Sequence, residues 1–132
     1  MKSALVPRWR KNSMVEESRL EGSELTVHVV PADEPLTVAV AGRATVDSSP
    51  HLRSVLLGLL RRSPDPVVVI DLSALSYLDM SGIATFLEAL KAARERSVKL
   101  CLTGMSGQVR TLAEIAQLDM IFRAWGSEVE FR

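Results

Sequence analysis

From Leu25 onward the chain places its apolar residues in two alternating rhythms. Leu25, Val27 and Val29, then Leu36, Val38 and Val40, recur at every second position, the period of a strand with one buried face. Pro31-Ala32-Asp33-Glu34-Pro35 separates the two runs and has the composition of a turn. Together they predict an antiparallel hairpin. Leu52, Val55, Leu56, Leu59 and Leu60 follow at i, i+3, i+4, i+7 and i+8, one stripe of an amphipathic helix. Ser49-Pro50 opens it, because the residue before proline is pushed to extended geometry and proline fits the first turn. Ser63-Pro64 closes it, so the helix spans about residues 50–62. Pro66 to Asp71 is short, continuously apolar and β-branched, which predicts a central strand covered on both faces.

A second helix is marked by Ile83, Phe86, Leu87, Leu90 and Ala93, after a break at Asp79-Met80-Ser81-Gly82. Glu88, Lys91, Arg94 and Glu95 fall on its wet side. Val98 to Leu102 reads as another strand, and Gly104 as a turn. Ser106 caps a third helix with Val109, Leu112, Ala113 and Ala116 inward. A last strand is expected around Met120 to Trp125. The order β-β-α-β-α-β-α-β predicts an α/β fold: one domain over residues 25–132, its four- to five-stranded sheet mostly parallel, with an N-terminal hairpin and amphipathic helices packed on it.

A chain of 132 residues with 47% hydrophobic and 24% charged side chains is sized and composed for one ordinary core. Sixteen basic residues balance sixteen acidic ones, which removes the usual electrostatic case for direct nucleic-acid binding. No apolar run approaches the ~20 residues that cross a bilayer, so no transmembrane segment is expected, and the single Cys101, which cannot form an internal disulfide, points to a cytoplasmic location. Residues 1–24 show neither period and gather Lys2, Arg8, Arg10 and Lys11 near their start. They read as a tail. Leu5-Val6-Pro7-Arg8 looks like a thrombin recognition sequence of the sort used in expression vectors, and Met14 offers a second start. The sharper alternative is a basic arm on an anionic surface with Trp9 as its anchor.

The candidate chemistry is sparse. Asp79 and Ser81 stand where a helix begins and have the residue types that cap one. Ser48 and Ser49 read as turn and cap residues. His28 and His51 have no ligand candidates beside them in sequence, and the lone Cys101 lies inside an apolar strand as an inert thiol. Gly104-Met105-Ser106-Gly107 lacks the Gly-Lys-Ser/Thr of a phosphate loop. No nucleophile, paired carboxylate or metal signature is present, so no enzyme activity, cofactor or metal is expected.

The strand Val67 to Asp71, followed by Leu72-Ser73-Ala74-Leu75-Ser76-Tyr77-Leu78 and Asp79-Met80-Ser81-Gly82-Ile83, resembles the central signature of STAS domains. That family includes anti-sigma factor antagonists and the cytosolic parts of sulfate transporters. Upstream, Val40-Ala41-Gly42-Arg43-Ala44-Thr45-Val46-Asp47 resembles the family's strand ending in Gly-x-Leu-Asp. The resemblance covers about residues 25–125. It implies a binding module, of which free antagonists bind an anti-sigma factor that is also a serine kinase of the histidine-kinase-type ATPase fold. Phosphorylation ends that binding, and the antagonist itself is a monomer or weak homodimer. It further implies a partner-binding surface at Thr45, Asp47, Asp79, Met80, Ser81 and Gly82. The family's phosphoacceptor directly follows the motif Asp, and here that residue is Met80. Three readings follow: a constitutive antagonist, an acceptor shifted to Ser81, or a scaffold that presents Met80 as a soft apolar contact. The upstream motif also departs, with Thr45 in place of the family's Asp and Asp47 two residues later. An alternative within the family is the STAS subunit of a membrane complex of the lipid-transport ABC type.

Overall fold

The computed structural model describes residues 24–30, 35–63 and 65–132. The tail reading for residues 1–24, all but its last residue, and most of the turn Pro31 to Pro35 lie outside the described residues. Two strands open the chain, β1 (Leu25–Val30) and β2 (Leu36–Ala44), followed by helix α1 (Ser49–Arg62). Then come β3 (Val67–Leu78), α2 (Met80–Glu95), β4 (Lys99–Met105), α3 (Gly107–Ile115), α4 (Leu118–Ala124) and β5 (Glu128–Phe131).

The five strands lie in the order of the sequence, β1 antiparallel to β2 and every later neighbour parallel. Each crossover therefore steps one strand further in the same direction. Right-handed crossovers then place all the helices on one face of the sheet. Burial follows from that placement. Leu25, Val27, Val29, Leu36, Val38, Val40, Val68, Ile70, Leu72, Leu100 and Leu102 point at the helices and are buried in one core with Leu52, Leu56, Phe86, Leu90 and Phe122. The expectation that Val67 to Asp71 is covered on both faces is corrected: Val68 and Ile70 are buried, whereas Val67, Val69 and Asp71 are half-buried. A sheet wound in one direction has helices on one side only, and the β-branched run is alternating in practice.

The carboxyl-terminal region differs from expectation in the same way. Met120 to Trp125 is not a strand: α4 occupies Leu118–Ala124, with Leu118 and Phe122 buried at a helical spacing. Gln117, in the left-handed region at φ 56°, ends α3 and turns the chain into α4. Gly126, also left-handed at φ 84°, ends α4, with Ser127 N–H donating back to the Phe122 carbonyl at 2.8 Å as helix-terminating glycines do. The last strand is β5, whose Val129 and Phe131 pack against the core.

Cys101 is buried at 7% exposure but lies outside the main core, in register with Val69 and Glu128. Its thiol faces the Glu128 carboxylate, Sγ to Oε2 3.7 Å. Burial first, and Glu128 second, push the thiol pKa up, which keeps it protonated and unreactive.

Candidate functional site

Parallel strands in sequence order bring the carboxyl ends of β2 and β3 side by side, Ala44 in register with Leu78. The two segments that leave those ends, Thr45 to Ser48 and Asp79 to Gly82, are thereby neighbours although some thirty residues separate them in the chain. Asp79 joins them. Its backbone is extended (φ −119°, ψ −174°), so the carboxylate reaches back over the first turn of α2 as N-cap residues do. Oδ1 accepts from Ser81 N–H at 2.8 Å and Gly82 N–H at 3.2 Å. Oδ2 accepts from Val46 N–H at 3.1 Å. The Asp79 N–H donates to the Ala44 carbonyl at 3.1 Å. One carboxylate thus caps a helix and pins the loop of the adjacent strand.

Met80 follows at the first position of α2 and is 60% exposed. Val46, whose amide is held by Asp79, is 66% exposed. The corner therefore presents two apolar side chains to solvent around a carboxylate that accepts from three backbone N–H groups. Ser81 is half-buried, and its carbonyl accepts from Thr85 Oγ1 at 3.0 Å. Gly82 is buried for a steric reason: a β-carbon there would meet Leu78 Cδ1 at 2.3 Å and Ala44 Cβ at 3.1 Å. Only glycine lets α2 start this close to the ends of β2 and β3.

Thr45 and Asp47 have different parts. The Thr45 hydroxyl donates to Glu24 Oε2 at 2.6 Å and accepts from Asp47 N–H at 3.2 Å. Ser48 Oγ accepts from Thr45 N–H and donates to the Arg43 carbonyl, at 2.9 and 2.7 Å. Ser48 stands at the N-cap position of α1, its carbonyl accepting from Leu52 N–H at 3.1 Å, but its side chain makes no cap hydrogen bond and serves the turn instead. Ser49, expected as the cap before Pro50, is the first residue of the helix. Thr45 fixes the loop, while Asp47 is exposed beside it. Arg43 pairs with Glu24 at 3.1 Å and lies 4.3 Å above the Tyr77 ring, closing the flank of the corner toward β1.

All six candidate residues are brought together, Thr45 and Asp47 on one loop and Asp79 to Gly82 on the other. The participants not anticipated are Val46, visible only by its exposure, and Gln108. From the start of α3, Gln108 donates through Nε2 to the Leu78 carbonyl at 2.7 Å and accepts at Oε1 from Leu78 N–H at 2.9 Å. Among the described residues, no three His, Cys, Asp or Glu side chains converge to hold a metal, and no helix is long and apolar enough to cross a membrane. Nothing in the corner pairs a nucleophile with a base. What the arrangement offers is a rigid, partly apolar surface.

Residues 27–123 match the family described as "Mlab, STAS domain". An anti-sigma-B factor antagonist of Staphylococcus epidermidis is 30% identical over 107 residues, covering 80% of this chain and 98% of that protein. The anti-sigma-B factor antagonist of Staphylococcus aureus (strain NCTC 8325 / PS 47) matches with the same identity and the same coverage. The same fold is found in the crystal structure of an anti-sigma factor antagonist from Mycobacterium paratuberculosis, with a TM-score of 0.67 at 23% identity over 74% of this chain and 82% of that one. Unphosphorylated SpoIIAA, another anti-sigma factor antagonist, gives 0.62 at 14% identity over 80% of this chain and 86% of that one.

Proposed function

The chain belongs to the STAS domain family, and from that premise we propose that it is an anti-sigma factor antagonist that docks on its partner through the corner formed by Val46, Asp79 and Met80. The partner in this reading is an anti-sigma factor with the ATPase fold of a serine kinase. The observation that carries the reading is Met80, 60% exposed at the first turn of α2, where the family's phosphoacceptor hydroxyl is expected. A hydroxyl at that place would carry its phosphate at a helix N-terminus, among backbone N–H groups. A thioether accepts no phosphate. The antagonist is then not switched off at this residue, and Met80 contributes an apolar contact instead.

Titration calorimetry with the ATP-loaded anti-sigma factor kinase of the same organism tests this. Met80→Asp should weaken binding a hundredfold or more, because an unpaired carboxylate buried in an interface costs several kcal/mol. Met80→Ser should become a substrate of the kinase, and Ser81→Ala should bind as wild type does. Equal affinity of Met80→Asp and wild type would put the interface elsewhere. Label on Ser81 in the wild type, lost in Ser81→Ala, would instead mean that the acceptor has moved by one residue. The same corner meeting the ATPase subunit of a membrane transport complex, and no anti-sigma factor, would assign the chain to the other branch of its family.

A further inference from the structure

β3 is longer than its pairing with β4. The register with β4 ends at Asp71 opposite Thr103, yet β3 continues for seven more residues to Leu78. Along that extension β2 supports one side only, and through two register shifts, between Ala39 and Ala41 and between Gly42 and Arg43. Successive residues of a strand aim their backbone groups to opposite sides. Asp79 N–H reaches Ala44 on the β2 side, while both polar groups of Leu78 face the side that β4 has vacated. A buried strand end with an open edge costs free energy unless each group finds a partner.

One side chain supplies both partners. The Gln108 amide donates to the Leu78 carbonyl and accepts from the Leu78 N–H, at 2.7 and 2.9 Å, so that it replaces one residue of a missing strand. Its backbone is held firmly, because the next residue, Val109, is 1% exposed in the core. The Leu78 side chain is fully buried against Gly82, and Leu78 is followed directly by Asp79 and Met80.

We propose that Gln108 is a positioning residue: by closing the open edge of β3 at Leu78 it holds the Asp79–Met80 corner in the geometry that meets a partner. The partner-binding consequence rests on the function proposed above, but the positioning itself is a property of the free protein. Glutamine is specified by the chemistry. The site needs one donor and one acceptor on a planar group at this reach, which methionine lacks and a glutamate supplies only when protonated.

The test uses the full chain with Gln108→Met, Gln108→Glu and, as a control on the same helix, Thr111→Ala. Hydrogen exchange at the Leu78 amide should accelerate about tenfold or more in Gln108→Met, relative to the Ile70 amide of the same strand, as expected when a buried donor loses its partner. The Met80 methyl resonance should shift with it. Gln108→Glu should show both changes at pH 7 and recover toward wild type as the pH falls through about 4.3 and the carboxyl gains a proton. Binding to the ATP-loaded anti-sigma factor kinase should weaken about tenfold in Gln108→Met and be unchanged in Thr111→Ala. If Leu78 exchange and the Met80 methyl respond to Gln108→Met no more than to Thr111→Ala, the positioning role is wrong. If they respond as expected and wild type ignores the kinase, the positioning role stands and the proposed partner is wrong.

Discussion

Replacing Asp79 separates the two tasks of its carboxylate. In Asp79→Ala the first turn of α2 loses the acceptor for Ser81 and Gly82 N–H, a change that costs about 1 kcal/mol at a typical N-cap and up to about 2. The favourable meeting of a negative charge with the positive end of the helix is lost as well, about 0.3–1 kcal/mol. The sum is about 2 kcal/mol. For a domain of this size that lowers the midpoint of thermal unfolding by about 6–10 °C. Asp79→Asn retains one carbonyl oxygen for the cap, and asparagine caps as well as aspartate. Its other end becomes an NH₂ that cannot accept from Val46 N–H, now held at 3.1 Å. The Val46 amide is exposed, so water replaces the lost bond at little cost. Asp79→Asn should therefore melt only about 2–4 °C below wild type, yet Val46 amide exchange should accelerate in it as much as in Asp79→Ala. Circular dichroism melts and exchange on the three proteins decide the matter. If Asp79→Asn is as unstable as Asp79→Ala, or if Val46 exchange is unchanged in both, the carboxylate does not divide its work as the distances indicate.

Two further substitutions check the backbone reading away from the site. Gly58 lies inside α1 with nothing within 4 Å of where a β-carbon would stand, so Gly58→Ala should stabilise by about 0.5–1 kcal/mol, measured by urea unfolding; destabilisation would mean that the α1 surface is covered there. Ser97 ends α2 in the left-handed region at φ 59°, with Val98 N–H closing on the Ala93 carbonyl at 2.8 Å. Ser97→Gly should raise stability by about 0.5–1 kcal/mol by relieving that conformation, and a melting point no higher than wild type would count against the left-handed cap.

What was legible in the sequence is what short-range periodicity encodes. Three of the helices declared themselves because each carries a stripe long enough to distinguish 3.6 from 2. Of the two cap candidates Asp79 and Ser81 only Asp79 caps α2, which begins at Met80, inside the break expected to run through Gly82. The stretch Met120 to Trp125 was misread because α4 has only seven residues. Over so short a span, Ile121 and Phe122 beside Trp125 satisfy a strand as well as a helix. The deciding signal lay one residue further on, in Gly126, whose left-handed backbone stops a helix. Glu128-Val129-Glu130-Phe131 then alternates as an edge strand does.

The site divides along the same line. The Asp79 cap was readable because its donors lie two and three residues away, within reach of a local rule. Its bond to Val46 spans 33 residues and the Gln108–Leu78 pair spans 30, and no period or spacing records either. Both are consequences of the topology: a parallel sheet wound in one direction sets the ends of β2 and β3 together and ends β4 short of them. Once the strand order is fixed, an exposed valine after β2 and a glutamine at the start of α3 must stand beside Asp79 and Leu78. A single sequence shows them only as a surface apolar residue and a surface polar one. The local chemistry of the corner is therefore written in the motif, and its rigidity in the fold.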